Sequence, residues 1–328
     1  MDTIHIAEKQ EFLVDKHPIT GKKIPWSKHK TNNLKLVESF RRLEKIDPML
    51  KGRAPQLQEC GSWLEFRRYE SGDLALNRAN FCKYRLCPMC GFRRSLKNYG
   101  QASQVMNVAE TNQYRFLFVT LTVRNCPGSA LGKTIDLLFQ GHTRLLRQGR
   151  YKSQIKGWMR TLEVTHNVDR KSASFDTYHP HLHMIWAVKP GYFKGKNYIG
   201  QSDLIQDWST AAQLDYMPNV DIRAIPVNKT LGAIKEVSKY CTKASDILTD
   251  DNELTDSGVW HLDRALAGRR LISYGGILKT IKADLNLDDP ETGDLVNVDG
   301  DQLRDDLAYV IETYHWNTGY NQYLKKGV

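Results

Sequence analysis

The sequence lacks any apolar run long enough to cross a membrane, since no stretch approaches 18 consecutive apolar residues. Its first residues do not combine a basic segment with a following apolar one, so they predict no secretory signal. We therefore expect a protein of the cytoplasm without a membrane partner. Cysteines are also few, six in 328 residues. In a reducing compartment they are expected to be thiols or metal ligands rather than disulfides.

Acidic residues are scarce over most of the chain. Residues 1–250 contain 39 Lys and Arg against 23 Asp and Glu, whereas residues 251–328 contain 8 against 14. Solubility alone would not require the charges to segregate in this way. The basic part favours a polyanionic partner, with nucleic acid ahead of a membrane surface.

The sequence does contain three histidines at alternate positions, His179, His181 and His183, followed by apolar residues 184–186. Alternate side chains of a β-strand share one face about 7 Å apart, so the three imidazoles should point the same way. Imidazole is a common ligand of divalent metals. A single strand histidine is more often packed in a core, but three of the chain's ten within five residues favour a metal site.

Four cysteines have the spacing of a structural zinc site. Three form a Cys-x4-Cys-x2-Cys series with proline and glycine in the turn, and one earlier cysteine supplies the fourth ligand. The four are Cys60, Cys82, Cys87 and Cys90. Buried free cysteines are the alternative. Arg93 and Arg94 open a basic helix directly after the series, and we interpret them as contacts to DNA.

The apolar patterns predict an α+β fold. Stripes at helical spacing predict helices, and β-branched or aromatic runs predict strands. The predicted strands are residues 114–123, 157–165, 179–186 and 220–227, with short strands within 53–76; the predicted helices are residues 92–110, 131–147, 201–214 and 230–248. The order favours an antiparallel sheet with helices on one face, in which residues 157–165 and 179–186 are an antiparallel pair.

The predicted helix 230–248 carries a possible reactive pair. Glu236 and Tyr240 lie one turn apart on one flank, and Lys239 and Lys243 form a second pair beside them. An amphipathic helix with a charged shoulder is the alternative. Beside a histidine metal site in a basic protein, Tyr240 could be a nucleophile, Glu236 a general base and the lysines phosphate contacts.

Several motifs together resemble those of rolling-circle plasmid replication initiators. The motifs are Phe-Val-Thr-Leu-Thr-Val (118–123), His-Pro-His-Leu-His-Met-Ile (179–185) and Glu-Val-Ser-Lys-Tyr-Cys-Thr-Lys-Ala-Ser-Asp (236–246). The cysteine series and residues 268–276 resemble the same class. These initiators belong to the HUH endonuclease superfamily, and the class is the single-tyrosine one of small Gram-positive-type plasmids. The resemblance runs from about residue 60 to residue 276.

The resemblance implies a five-stranded antiparallel sheet with the metal-binding histidines at its centre. His181 and His183 match the paired ligands of a magnesium or manganese ion. A third ligand is expected from elsewhere, and Glu163 on the neighbouring strand is the first choice, with His179 second.

The resemblance also implies a reaction. Tyr240 would attack one strand at the plasmid origin, giving a 5′-phosphotyrosine link and a free 3′-hydroxyl that primes synthesis. Glu236 matches the residue that activates water at termination. The expected partners are the origin DNA and the host's helicase and polymerase.

The expected organisation has four parts. They are a basic N-terminal arm (1–55), a zinc element with the basic helix (56–112), the nicking domain (113–250) and a C-terminal region with an acidic tail (251–328). The arm could meet phosphates or be partly disordered. The alternative functions are an HUH transposase or relaxase, a zinc-containing DNA-binding regulator without catalysis and, least favoured, a histidine-triad nucleotide hydrolase.

Overall fold

Two antiparallel sheets and the helices around them form the molecule. A computed structural model describes residues 10–16, 21–195, 198–238, 246–298 and 303–326. Within these ranges no helix is both long and apolar enough to span a membrane. The helices are α1 (Trp26–Leu43), α2 (Arg53–Glu59), α3 (Pro88–Thr111), α4 (Leu131–Arg147), α5 (Gly149–Gln154), α6 (Gln201–Ala212), α7 (Thr230–Val237), α8 (Asn252–Leu266) and α9 (Ile277–Asp284). The strands are β1 (Trp63–Tyr69), β2 (Leu74–Ala79), β3 (Arg115–Thr122), β4 (Gly157–Asn167), β5 (Thr177–Val188), β6 (Val220–Ile225), β7 (Ile272–Gly276), β8 (Tyr309–Asn317) and β9 (Gln322–Lys325).

The larger sheet has five strands in the order β6-β3-β5-β4-β7. Every neighbouring pair is antiparallel. The histidine strand β5 is central, and it pairs with β4 from Gly157 opposite Ala187 to Asn167 opposite Thr177. The α+β class, the five-stranded antiparallel sheet and the pairing of these two strands are therefore confirmed.

Helices cover both faces of this sheet, so the prediction of helices on one face is wrong. Alternate residues of β3 explain the difference. Leu117, Val119 and Leu121 belong to one apolar core with α4 and α6, whereas Phe116 and Phe118 belong to a second core with α3, α7 and α9. A strand that is apolar on both sides must be covered on both sides.

The smaller sheet joins distant parts of the chain. Its order is β2-β1-β8-β9, and β1 pairs with β8 from Trp63 opposite His315 to Tyr69 opposite Tyr309. Strand β7, which also lies beyond residue 250, completes the larger sheet. Strands of the C-terminal region 251–328 thus pair with earlier strands in both sheets. Periodicity in the sequence can reveal a strand but not its distant partner.

The described part of the N-terminal arm includes a packed helix. Trp26 and Phe40 of α1 are buried in the core, and Arg42 forms an ion pair of 2.7 Å with Asp256 of α8. Residues 26–43 therefore belong to the body of the protein rather than to a disordered arm. The short strands predicted within residues 53–76 begin only at β1, because the preceding residues form α2.

Candidate functional site

Register brings three of the predicted metal ligands together. Glu163 on β4 lies directly opposite His181 on β5, and His183 follows two positions later on the same side. The carboxylate Oε2 of Glu163 is 3.1 Å from Nε2 of His183 and 3.7 Å from Nε2 of His181, and the two Nε2 atoms are 3.1 Å apart. We call these three residues the metal-ligand group, and the sheet face that carries them the ligand face.

The distances and the tautomers of the metal-ligand group fit a divalent metal. Ligands about 2.1 Å from a metal and at right angles to one another lie about 3.0 Å apart. Nδ1 of His181 is 3.1 Å from the carbonyl oxygen of His179, which can only accept, so this nitrogen carries the hydrogen and Nε2 presents its lone pair. Nδ1 of His183 is 3.1 Å from the hydroxyl of Thr120. One carboxylate and two imidazoles form a ligand set that can hold a divalent metal ion.

His179 lies outside the metal-ligand group. Its ring stacks on that of His181 at a centroid distance of 5.1 Å, and its carbonyl orients that ring. Burial, and then the neighbouring His181, lower the pKa of His179, so the ring is neutral at physiological pH. Among the described residues the structure thus groups Glu163, and not His179, with the other two ligands.

Helix α7 packs on the ligand face. Ile234 and Val237 enter the apolar core there, and Glu236 lies half-buried between them. The hydroxyl of Ser95 on α3 donates a hydrogen bond of 3.3 Å to the carbonyl of Ser238, which joins the end of α7 to α3. The end of α7 is therefore held against α3 on the ligand face.

The remaining predicted residues of this segment lie outside the described residues. They are Tyr240, Lys239 and Lys243. The predicted helix 230–248 is wrong at its end, because residues 247 and 248 are not helical. Ile247 is instead buried in the same core as Val259 of α8.

The four predicted zinc ligands form one cluster, which we call the cysteine cluster. Its sulfurs all lie within 4.8 Å of one another. Cys60 Sγ is 3.6 Å from Cys90 and 3.5 Å from Cys87, and Cys82 is 3.7 Å from Cys90. Sulfurs at the corners of a tetrahedron about 2.3 Å from zinc lie about 3.8 Å apart. The cluster therefore has the dimensions of a structural zinc site.

The surroundings of the cysteine cluster also suit a bound dication. Burial raises the pKa of Cys87 and Cys90, whereas hydrogen bonds from the other thiols, that of Cys60 first, lower the pKa of Cys82. A metal would hold all four as thiolates, because a coordinating thiol is deprotonated. Lys30, which is 1% exposed, offsets part of that negative charge and donates to the carbonyl of Cys60 at 2.8 Å.

Arg93 and Arg94 are buried, which argues against the predicted contacts with DNA. Arg93 donates to the carbonyl oxygens of Leu295 and Val296 at 2.9 and 2.7 Å, and Arg94 donates to that of Glu291 at 3.0 Å. These arginines fasten residues 291–296 to α3. The sequence shows that the two arginines are adjacent. It does not show that backbone carbonyls about two hundred residues later accept their hydrogen bonds.

Sequence reasoning missed Thr120, whose hydroxyl orients His183. The signal was present, since residues 118–123 contain threonines at alternate positions. The alternation alone does not show what the threonines contact. The pairing of β3 with β5 does, because it puts Thr120 opposite His183.

Comparison with known proteins identifies the family. A family model described as "Replication protein" matches residues 73–324. The Protein rep of Bacillus amyloliquefaciens is 37% identical over 352 aligned positions, which cover 98% of this chain and 100% of the relative. The Protein rep of Streptococcus pneumoniae serotype 2 is 37% identical over 326 positions, covering 97% of each chain. No solved structure matches the chain significantly. The chain therefore belongs to the replication protein family, that of the plasmid replication initiators which its motifs resemble.

Proposed function

We propose that this protein initiates plasmid replication by cutting one strand of the origin DNA, with Tyr240 as the nucleophile and a divalent metal as cofactor. The observation that carries the proposal is the metal-ligand group, whose three ligand atoms converge on the face where α7 ends. Val237, the last residue of α7, precedes Tyr240 by three positions. Family membership supports a role in replication, and thus DNA as the substrate.

The carboxylate of Glu163 favours metal-assisted chemistry over a histidine nucleophile. In a histidine-triad hydrolase the central imidazole attacks the phosphorus, whereas here both Nε2 atoms face a carboxylate oxygen. A bound magnesium or manganese ion would supply positive charge at the scissile phosphate. The role of His181 and His183 is to hold their lone pairs toward that position, with their Nδ1 atoms engaged elsewhere.

The proposed reaction is a transesterification. The hydroxyl oxygen of Tyr240 bonds to phosphorus and gives up its proton, the bond from phosphorus to the 3′ oxygen breaks, and that oxygen takes up a proton. The products are a 5′-phosphotyrosine link and a free 3′-hydroxyl that host polymerase extends while a host helicase opens the duplex. Lys239 and Lys243 would contact neighbouring phosphates.

Glu236 is proposed to act at termination. Four positions separate it from Tyr240 in sequence, so both groups can be close enough to act on one phosphate in turn. A carboxylate can take a proton from water, and the resulting hydrolysis cuts the regenerated origin without a second covalent bond to the enzyme.

The test compares two variants on a supercoiled plasmid that carries this protein's own gene. Tyr240→Phe removes the attacking oxygen, so relaxed product and protein bound to the 5′ end should both be lost. Glu236→Gln keeps the shape but cannot take a proton, so it should nick and form the adduct yet accumulate plasmid multimers. Adduct formation by Tyr240→Phe would exclude Tyr240 as nucleophile. Equal loss of nicking in Glu236→Gln would instead assign Glu236 to initiation.

A further inference from the structure

We propose that Arg124 and Arg223 hold the phosphates of a single DNA strand on either side of the metal-ligand group, so that the strand runs along β3. This inference rests on the proposed function, because it describes how that site holds its substrate. Neither arginine belongs to a motif that the sequence brought forward.

Register puts the two arginines at opposite ends of the metal-ligand group. Arg223 on β6 lies opposite Phe118, whereas Thr120 and Thr122 lie opposite His183 and His181. Val123 is buried in the opposite core, and Arg124 follows it just beyond the end of β3. At about 3.3 Å per residue, the chain from Phe118 to Arg124 spans about 20 Å, with the ligands near its middle.

Arg124 is exposed and held in a fixed plane. Its guanidinium carbon is 3.7 Å from the ring centroid of Tyr216, and the hydroxyl of Tyr216 accepts a hydrogen bond of 2.7 Å from the backbone N–H of Arg124. The guanidinium makes no hydrogen bond or ion pair with any residue in the described ranges. Stacking of this kind leaves the N–H groups at the edge of the plane available for a phosphate.

Arg223 also lies over an aromatic ring, at the other end of the metal-ligand group. Its guanidinium carbon is 4.9 Å from the ring centroid of Phe118, and that ring is 5.8 Å from the ring of His183. Asp221 holds its Nε at 3.2 Å, while the side chain remains 67% exposed. The two terminal nitrogens, which have no partner in the described part of the chain, are the ones that form a bidentate contact with phosphate.

Among the described residues, the helices on the ligand face contact strands other than β6, which carries Arg223. Helix α9 contacts β4 and β7, α7 contacts β5, and α3 lies beside both helices. Strand β6, which carries Arg223, is the edge of the sheet beyond β3. A strand of DNA with one phosphate at the metal-ligand group has further phosphates on both sides of it. Two guanidiniums aligned along β3 match one strand rather than the two strands of a duplex.

The test measures binding of a fluorescently labelled single-stranded oligonucleotide of mixed sequence to the full chain over a range of salt concentrations. Arg124→Gln and Arg223→Gln should each weaken binding several-fold and reduce the slope of log affinity against log salt by about 0.7, as expected for one lost phosphate contact. Arg147→Gln is the matched control, because Arg147 is an exposed arginine on α4, across the sheet. Arg124→Lys and Arg223→Lys should keep the slope of the unmodified protein but only part of its affinity.

Unchanged slopes in both glutamine variants, with native circular dichroism, would overturn the inference, as would an equal loss in Arg147→Gln. An equal loss of affinity for duplex DNA would overturn the assignment to a single strand. If the wild-type protein nicks its plasmid while both variants bind normally, the inference fails and the proposed function stands. If the variants lose binding but the wild-type protein never nicks, the proposed function fails and the DNA-binding residues stand.

Discussion

The cysteine cluster and the metal-ligand group gather ligands in opposite ways. The cysteines come from the end of α2, the segment after β2 and the start of α3, and they offer four sulfurs, the full ligand set of a tetrahedral zinc ion. The metal-ligand group comes from two paired strands and offers three ligands, which leaves positions open. A closed set joins segments that would otherwise separate, whereas an open set on a rigid sheet leaves room for a substrate. We therefore expect the cysteine cluster to be needed for folding and the metal-ligand group to be needed for activity.

The largest expected effect is the loss of folding on disruption of the cysteine cluster. Cys90→Ala should give a protein without zinc and without a cooperative unfolding transition, since structural zinc contributes on the order of 10 kcal/mol in small sites. Zinc content by mass spectrometry and near-ultraviolet circular dichroism measure the outcome. Cys126→Ala is the control, because Cys126 is buried but lies outside the cluster. A folded, zinc-free Cys90→Ala protein would show that the cysteines are ordinary packing.

Disruption of the metal-ligand group should leave the fold intact and reduce the nicking activity. His183→Ala should lower the nicking rate on the order of 100-fold or more, because charge stabilisation at the phosphate contributes several kcal/mol. The unfolding temperature and the affinity for duplex DNA should change little, since the basic surface supplies that affinity. The exposed His315 on β8 gives the control variant His315→Ala. Full nicking by His183→Ala would refute the metal assignment.

A smaller effect is expected where Thr120 orients His183. Thr120→Val keeps the shape but removes the hydroxyl that lies 3.1 Å from Nδ1. Loss of such a supporting group typically weakens metal binding 10- to 100-fold. A manganese titration of nicking should therefore shift to higher metal concentration and reach nearly the same maximum. Thr122→Val, which alters a hydroxyl bonded to the carbonyl of Asn219, should not shift the titration.

Local patterns allowed much of both sites to be predicted. Cysteine spacing is a property of a short segment, and so is the alternation of histidines on β5. Glu163 required one further step, the antiparallel pairing of β4 with β5, which the short connection between them made predictable. The apolar patterns also predicted four of the five strands of the larger sheet, but not β7.

Contacts between distant segments could not be predicted from local patterns. The burial of Arg93 depends on residues 295 and 296, which lie about two hundred residues later in the chain. Helices cover the second face of the larger sheet because alternate residues of β3 are apolar on both sides. Two of these helices, α3 and α9, are far apart in sequence, so their proximity could not be predicted from local patterns. Burial and partners of this kind are properties of the assembled fold.

The smaller sheet has a consequence for the order in which a newly made chain folds. The hydroxyl of Tyr323 on β9 donates a hydrogen bond of 2.6 Å to the carbonyl of Gly61, 262 residues earlier and next to Cys60. The ribosome makes β1 and β2 long before β8 and β9, so the nascent hairpin keeps an unpaired edge throughout synthesis of the larger sheet. Closing so long a loop is slow. Premature termination before residue 309 would thus leave that edge without its native partner, exposed to other chains.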